Sequence, residues 1–168
     1  MGRAIALELA GSHAHVGARV GALARRGYRV VVAARTPAEI EAVAAEARQQ
    51  GREALAVQAD ARHAPDVERL VQRTLETFGQ IDVLVNCAGE PLIKPLTETT
   101  DADWQHILAS NLTAVFLACR AVMPHMIGRR QGHIVNISSK VGRDGAPNVV
   151  AYTAAKAGVI GLSRALAQ

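Results

Sequence analysis

Aromatic residues are scarce: Phe, Tyr and Trp make up 3% of the 168 residues. Bulky ring anchors therefore cannot fill the interior. With 49% hydrophobic residues, the filling falls to Ala, Val and Leu, which suits an α/β protein with close helix–sheet packing. Cysteine is almost absent. Cys87 and Cys119 are lone thiols, one at a strand end and one on a helix, so a disulfide framework is excluded and a reducing, cytoplasmic setting is expected. No apolar run reaches membrane-spanning length, and no charged start is followed by an uninterrupted apolar stretch, so neither a membrane nor a secretory route is expected. Lysine is rare as well: 16 of the 19 basic residues are arginine, and the pI is about 9.6. These arginines are scattered, with only Arg25-Arg26 and Arg129-Arg130 adjacent, and no basic stripe is interleaved with aromatics. A nucleic-acid partner is not expected. His13 and His15 have no third ligand near them, so no metal site is expected either.

What is present is a regular alternation of strands and helices over a length suited to one domain, residues 1–168. Arg29 to Ala34 is a β-branched run of the kind buried in a parallel sheet. Thr36-Pro37-Ala38-Glu39 combines a capping box with proline at the first helical position, and Ile40, Val43, Ala44 and Ala47 follow at helical spacing until Gly51. Ala54 to Ala59 is the next strand. The following helix carries Val67, Leu70, Val71, Leu75 and Phe78 as its apolar stripe and stops at Gly79. Ile81 to Val85 is a strand, Asp103 to about Met126 a long helix that tolerates Pro124 with a kink, His133 to Ile137 another strand, and Val149 to Gln168 the last helix. Strands alternating with helices imply right-handed crossovers and a parallel, doubly wound sheet with helices on both faces.

The chemistry concentrates near the C-terminal end. Tyr152 and Lys156 are four apart and share one face of the last helix, so the ammonium can lie beside the phenol. A free tyrosine has a pKa of about 10, and a neighbouring cation draws it towards neutrality, where proton transfer is efficient. Ser139, thirteen residues before Tyr152 at the end of a hydrophobic strand, adds a hydroxyl that could hold a substrate oxygen. Together with Val83-Leu84-Val85-Asn86-Cys87-Ala88-Gly89, Asn111 and Asp60, this set resembles the short-chain dehydrogenase/reductase family, and its 3-oxoacyl-carrier-protein reductase branch in particular, from about Tyr28 to Gln168. Cys87 stands where the family's Asn-Asn-Ala-Gly element has its second Asn. The resemblance implies a Rossmann-like fold and a catalytic set of Ser139, Tyr152, Lys156 and Asn111. It also implies that Asp60 holds the adenine, that Asn86, Ala88 and Gly89 line the nucleotide, and that Lys156 and Tyr152 reach its nicotinamide end. A homo-oligomer and a small carbonyl or alcohol substrate are implied as well. The small residues of the last helix, from Ala151 to Gly161, permit close approach either to the sheet or to a second subunit.

The family's phosphate loop matches less well. Its nearest counterpart is Ala10 to Gly17, in which Gly11 and Gly17 keep their places and His15 replaces the middle glycine. Glycines there let the backbone approach a pyrophosphate at the helix N-terminus. On this alignment Ile5 to Leu9 is the first strand. A second alignment makes Met1 to Ala10 the end of that loop and the helix after it, and the Ala/Leu-rich run supports a helix as readily as a strand. At the end of the second strand Arg35 stands where an acid would select NAD, and arginine accommodates the 2′-phosphate, so NADP is favoured over NAD. The expected activity is NADP-dependent reduction of a ketone, or the reverse. The rival expectation is a catalytically silent nucleotide-binding or oligomerising fragment, because the family's last strands have no counterpart before Gln168; on that ground low turnover is expected of the chain.

Overall fold

The computed structural model describes residues 5–9 and 16–168. Five parallel strands, β1 (Ile5–Leu9), β2 (Arg29–Ala34), β3 (Ala54–Gln58), β4 (Val83–Asn86) and β5 (His133–Asn136), form one sheet in the order β3-β2-β1-β4-β5. The helices are α1 (Val16–Arg25), α2 (Pro37–Gln49), α3 (Ala64–Phe78), α4 (Asp101–Leu108), α5 (Ala114–Arg129), α6 (Val141–Asp144) and α7 (Val150–Leu166). The chain order reverses between β1 and β4. In open parallel sheets the crevice at such a switch point is where ligands bind.

Alternation along β2 explains the two layers. Val30 and Val32 pack with Val20, Ala24 and Ile40 under α1 and α2. Val31 and Ala33 point the other way, into a core with Leu70, Leu84, Val115, Val122 and Val159 from α3, β4, α5 and α7. A strand covered on both faces has no use for polar residues, and Val30 to Ala33 are all fully buried. The left-handed backbone at Gly79, φ 78°, closes α3 by returning its amide to Leu75 O at 2.7 Å.

Ile5–Leu9 is extended and pairs with both β2 and β4, as the strand–loop–helix alignment requires. A central position that satisfies backbone groups on both sides outweighs the helical preference of Ala and Leu. Gly11, His13 and His15 lie outside the described residues; Gly17 is in the first turn of α1.

Several local expectations are corrected. Thr36 caps α2 by position, but its side chain makes no cap bond. The reciprocal capping box forms instead at Thr100 and Asp103, at the start of α4. The long helix is interrupted by one π-helical turn, Ala109–Thr113, and α5 then continues through Pro124. β5 ends at Asn136, so Ser139 lies beyond the strand, and α6 occupies what the sequence suggests is loop. The 29-residue run Asp101–Arg129, with mean hydropathy 1.5 in its most apolar window, is long and apolar enough to cross a membrane by length and composition. That was not apparent from the sequence, because its apolar residues are interspersed with polar ones. Half of the window is buried in this fold, with Val115, Ala118, Cys119 and Val122 in the core. At the β5 edge, Val135 is 44% and Ile137 38% exposed.

Candidate active site

Helix α7 buries Ala151 and Ala155 against Ile107 of α4 and Val159 in the main core, and the one-turn spacing puts Tyr152 and Lys156 side by side. Lys156 Nζ lies 5.7 Å from the centre of the Tyr152 ring, within cation–π range. Although a lysine, Lys156 is 4% exposed. Its ammonium donates to Ile137 O at 3.1 Å. Burial pushes its pKa below the ordinary lysine value, an effect opposed by Cys87 nearby. Two contacts fix the backbone at this residue. Ser138 Oγ donates to Lys156 O at 2.8 Å, and Gly142 of α6 approaches so closely that an added Cβ would stand 2.7 Å from the Lys156 carbonyl carbon. Ser139 sits between them, its hydroxyl oxygen accepting from Val141 N at 3.4 Å and its carbonyl from Gly142 N at 3.0 Å.

Asn111 lies in the π-helical turn and is fully buried. Isolated π turns occur often at functional sites because they re-aim one side chain. Its amide nitrogen reaches Glu90 O and Ile107 O at 3.0 Å, and Ser110 Oγ at 3.1 Å. Its Oδ1 is buried without a hydrogen-bond partner and faces Gly89: a Cβ on Gly89 would be 2.3 Å from Asn111 Oδ1 and 3.3 Å from Lys156 Nζ. Thus Gly89, Asn111 and Lys156, distant in sequence, meet at the carboxyl end of β4.

Beside them opens a cleft of about 340 Å³ at the carboxyl ends of β2, β3 and β4, lined by Arg35, Asp60, Arg62, Ala88, Gly89 and Glu90 among others. Four of the nucleotide residues expected from sequence, Arg35, Asp60, Ala88 and Gly89, are therefore together. Asn86 is elsewhere. It is 2% exposed, its amide donates to Asn136 Oδ1 at 2.8 Å, and it ties β4 to β5 rather than lining the cleft. The positive φ of Gly89, 144°, and the Asn111 Oδ1 that stands where a Cβ would go leave only glycine suited to this position, so bare backbone borders the cleft there. With Arg35 also in the lining, these residues fit a dinucleotide carrying a 2′-phosphate.

Three contributors escaped the sequence reading. Arg62 forks onto Asp60 with Nη2–Oδ2 at 2.6 Å, signalled only by an Asp-x-Arg spacing. Glu90 bonds His106 at 2.7 Å while its carbonyl holds Asn111. Lys94 joins Asp103 at 2.7 Å, and its amide bonds Asn148 O, linking the loop after β4 to the turn before α7.

The Asp60 carboxyl is held down to about 2, chiefly by the hydrogen bonds from Arg62. Its folded value lies below the 3.8 of an ordinary aspartate, so its contribution to stability is complete above about pH 4 and fades as pH falls towards 2. The difference in urea midpoint between wild type and Arg62→Ala should accordingly shrink between about pH 5 and about pH 2.5; a gap that stays constant would remove Asp60 as its source.

A match to the short chain dehydrogenase family covers residues 16–168. The chain belongs to that family. It is 43% identical over 148 residues to a 3-oxoacyl-[acyl-carrier-protein] reductase of Synechocystis, covering 88% of this chain and 60% of that protein. It is 35% identical over 169 residues to the 3-oxoacyl-[acyl-carrier-protein] reductase FabG of Staphylococcus aureus, covering all of this chain and 63% of the other. Among solved structures, an actinorhodin polyketide ketoreductase variant with NADPH superimposes with a TM-score of 0.94 at 34% identity, over 99% of this chain and 66% of that one. The chain thus spans about 60% of the length of the curated short-chain dehydrogenases it resembles.

Proposed function

We propose that this chain handles the nucleotide and the proton in NADPH-dependent reduction of a ketone to a secondary alcohol, or the reverse. The observation that carries this reading is the convergence of a buried Lys156 with Tyr152, Asn111 and Gly89 at the end of β4, next to a cleft ending in Arg35. When bound, the nicotinamide cofactor supplies the hydride. Tyr152 gives its phenolic proton to the carbonyl oxygen as charge develops there. Lys156, its Nζ 5.7 Å from the ring centre, stabilises the resulting phenolate through its charge, and the Ile137 carbonyl keeps its ammonium oriented. Ser139 donates a hydrogen bond to the same substrate oxygen, and Asn111 Oδ1 accepts on the lysine side, supporting return of the proton. Gly89 and Ala88 let the nucleotide approach, Gly11 and Gly17 belong to its phosphate loop, and Arg35 meets the 2′-phosphate. Asp60 lines the cleft, and Asn86 holds β4 to β5. The relatives named above support an acyl-linked ketone as the first substrate to try.

A panel of ketones, 3-oxoacyl thioesters included, monitored by NADPH absorbance, tests the reading. Nucleotide binding with no turnover on any of them would favour a binding role over a reductase. For the cofactor, Arg35→Asp is expected to remove a charge-assisted contact and add repulsion to a phosphate. The ratio of NADPH to NADH affinity should drop by about tenfold or more, the equivalent of about 1.4 kcal/mol. Titration of both nucleotides against both proteins measures it, and an unchanged ratio would count against Arg35. A homo-oligomer is part of the same proposal, with Phe116 of α5, 43% exposed, among the apolar groups available to it; light scattering decides it.

A further inference from the structure

Tyr152 sits in the first turn of α7, and that turn has no side-chain cap. Val149, the residue before the helix, makes no cap bond, where a serine, threonine or aspartate would satisfy one of the unpaired amides. Asn148 before it holds a left-handed backbone, φ 61°, a conformation that carries strain for any residue but glycine. The first bond of the helix, Thr153 N to Val149 O at 2.8 Å, encloses Tyr152. The helix with the candidate acid therefore starts at a strained corner that its own sequence does little to hold.

That corner is held from outside. Lys94 N donates to Asn148 O at 2.6 Å, and Lys94 is itself fixed. Its Nζ donates to Asp103 Oδ2 at 2.7 Å in a partly buried pair. The same oxygen closes the capping box of α4, accepting from Thr100 N at 2.9 Å and from Thr100 Oγ1 at 2.8 Å. Lys94 first, and Thr100 after it, hold the Asp103 carboxyl down to about 2. Pro91 and Pro95 restrict the backbone on either side, and Leu92 packs into the apolar cluster of Ile107, Ala151 and Ala155 that also receives Tyr152. The loop after β4 is thus tied to α4 by the side chain of Lys94 and to the start of α7 by its amide. We propose that Lys94, seated by Asp103, is a positioning residue for Tyr152: it holds the turn from which α7 starts and so fixes where the phenol is presented. This rests on the reading of Tyr152 as the acid. An ion pair near the surface adds little to global stability, whereas a small displacement of a proton donor is costly in rate.

The experiment compares wild type, Lys94→Met and Lys94→Arg. Lys94→Met keeps the amide and the reach of the side chain and removes the ammonium. It should lower kcat for ketone reduction by about tenfold, without weakening NADPH, because Lys94 is not in the lining of the cleft. Amide hydrogen exchange at Thr153 should quicken by about tenfold, with the amides of β2 unchanged. Lys94→Arg keeps a charge-assisted donor and should return both readouts to within about threefold of wild type. Unchanged exchange at Thr153 in Lys94→Met overturns the proposal, and so does a loss that Lys94→Arg does not recover. Exchange that quickens equally in β2 shows a pair that merely stabilises the fold, and overturns it as well. Exchange needs no turnover: a wild type inactive on every ketone ends the reading of Tyr152 as an acid, while the Thr153 amide still decides whether Lys94 holds the turn.

Discussion

Tyr152→Phe is expected to lower ketone reduction by about 10²- to 10⁴-fold, the usual worth of a positioned general acid, while NADPH affinity stays within about twofold. The ring is retained, so the contact with Lys156 Nζ, 5.7 Å from its centre, survives, and only the transferable proton is lost. Lys156→Ala should damage both turnover and binding. Its ammonium stands beside the phenol and beside Gly89 on the nucleotide side, and its removal leaves the Ile137 carbonyl without that donor. Rates under saturating nucleotide, measured beside direct binding, separate the two effects. A Tyr152→Phe protein that keeps most of its activity would end the assignment of Tyr152 as the acid.

Gly89→Ala should be nearly as damaging, through geometry rather than chemistry. At φ 144° an L-residue is strained, and the new methyl group would meet the buried Asn111 Oδ1 at 2.3 Å. Backbone strain and overpacking each cost about 1–3 kcal/mol, so a loss of about 2–4 kcal/mol in unfolding free energy is expected, with weakened nucleotide binding. Gly128→Ala is the control. Its Cβ would meet nothing within 4 Å on α5, and alanine is the better helix former by about 1 kcal/mol. Urea denaturation of both variants is the measurement, and a Gly89→Ala protein as stable as wild type would show that the β4 end is more yielding than its geometry implies.

Much of the fold was legible because it rests on local periodicity. The run Arg29–Ala34 is apolar at every interior position, so it had to be covered on both sides, and the stripe Val67, Leu70, Val71 specified the face that α3 buries. The strand at Ile5–Leu9 was less legible. Its composition suits a helix too, and only pairing with β2 and β4 decides in favour of an extended chain. Thr36 and Thr100 show the same limit from the other side. Both stand three residues before an acid, yet only Thr100 closes the capping box, because box formation depends on where the acid's side chain is drawn: Asp103 turns back to Thr100 and Lys94, and Glu39 lies in the cleft.

By itself the sequence determined the order of strands and helices, the layered α/β architecture and the pairing of Tyr152 with Lys156, since each depends on spacings of a few residues that backbone geometry converts directly into faces. Tertiary structure alone decided which distant groups meet. The π turn that buries Asn111 against Gly89, the close approach of Gly142 to Lys156, the use of Asn86 to join two strands and the capture of Asp60 by Arg62 all depend on chain crossings and side-chain directions. Spacing along the chain carries no record of those, because a buried polar atom takes whichever partner the packed neighbours bring within reach.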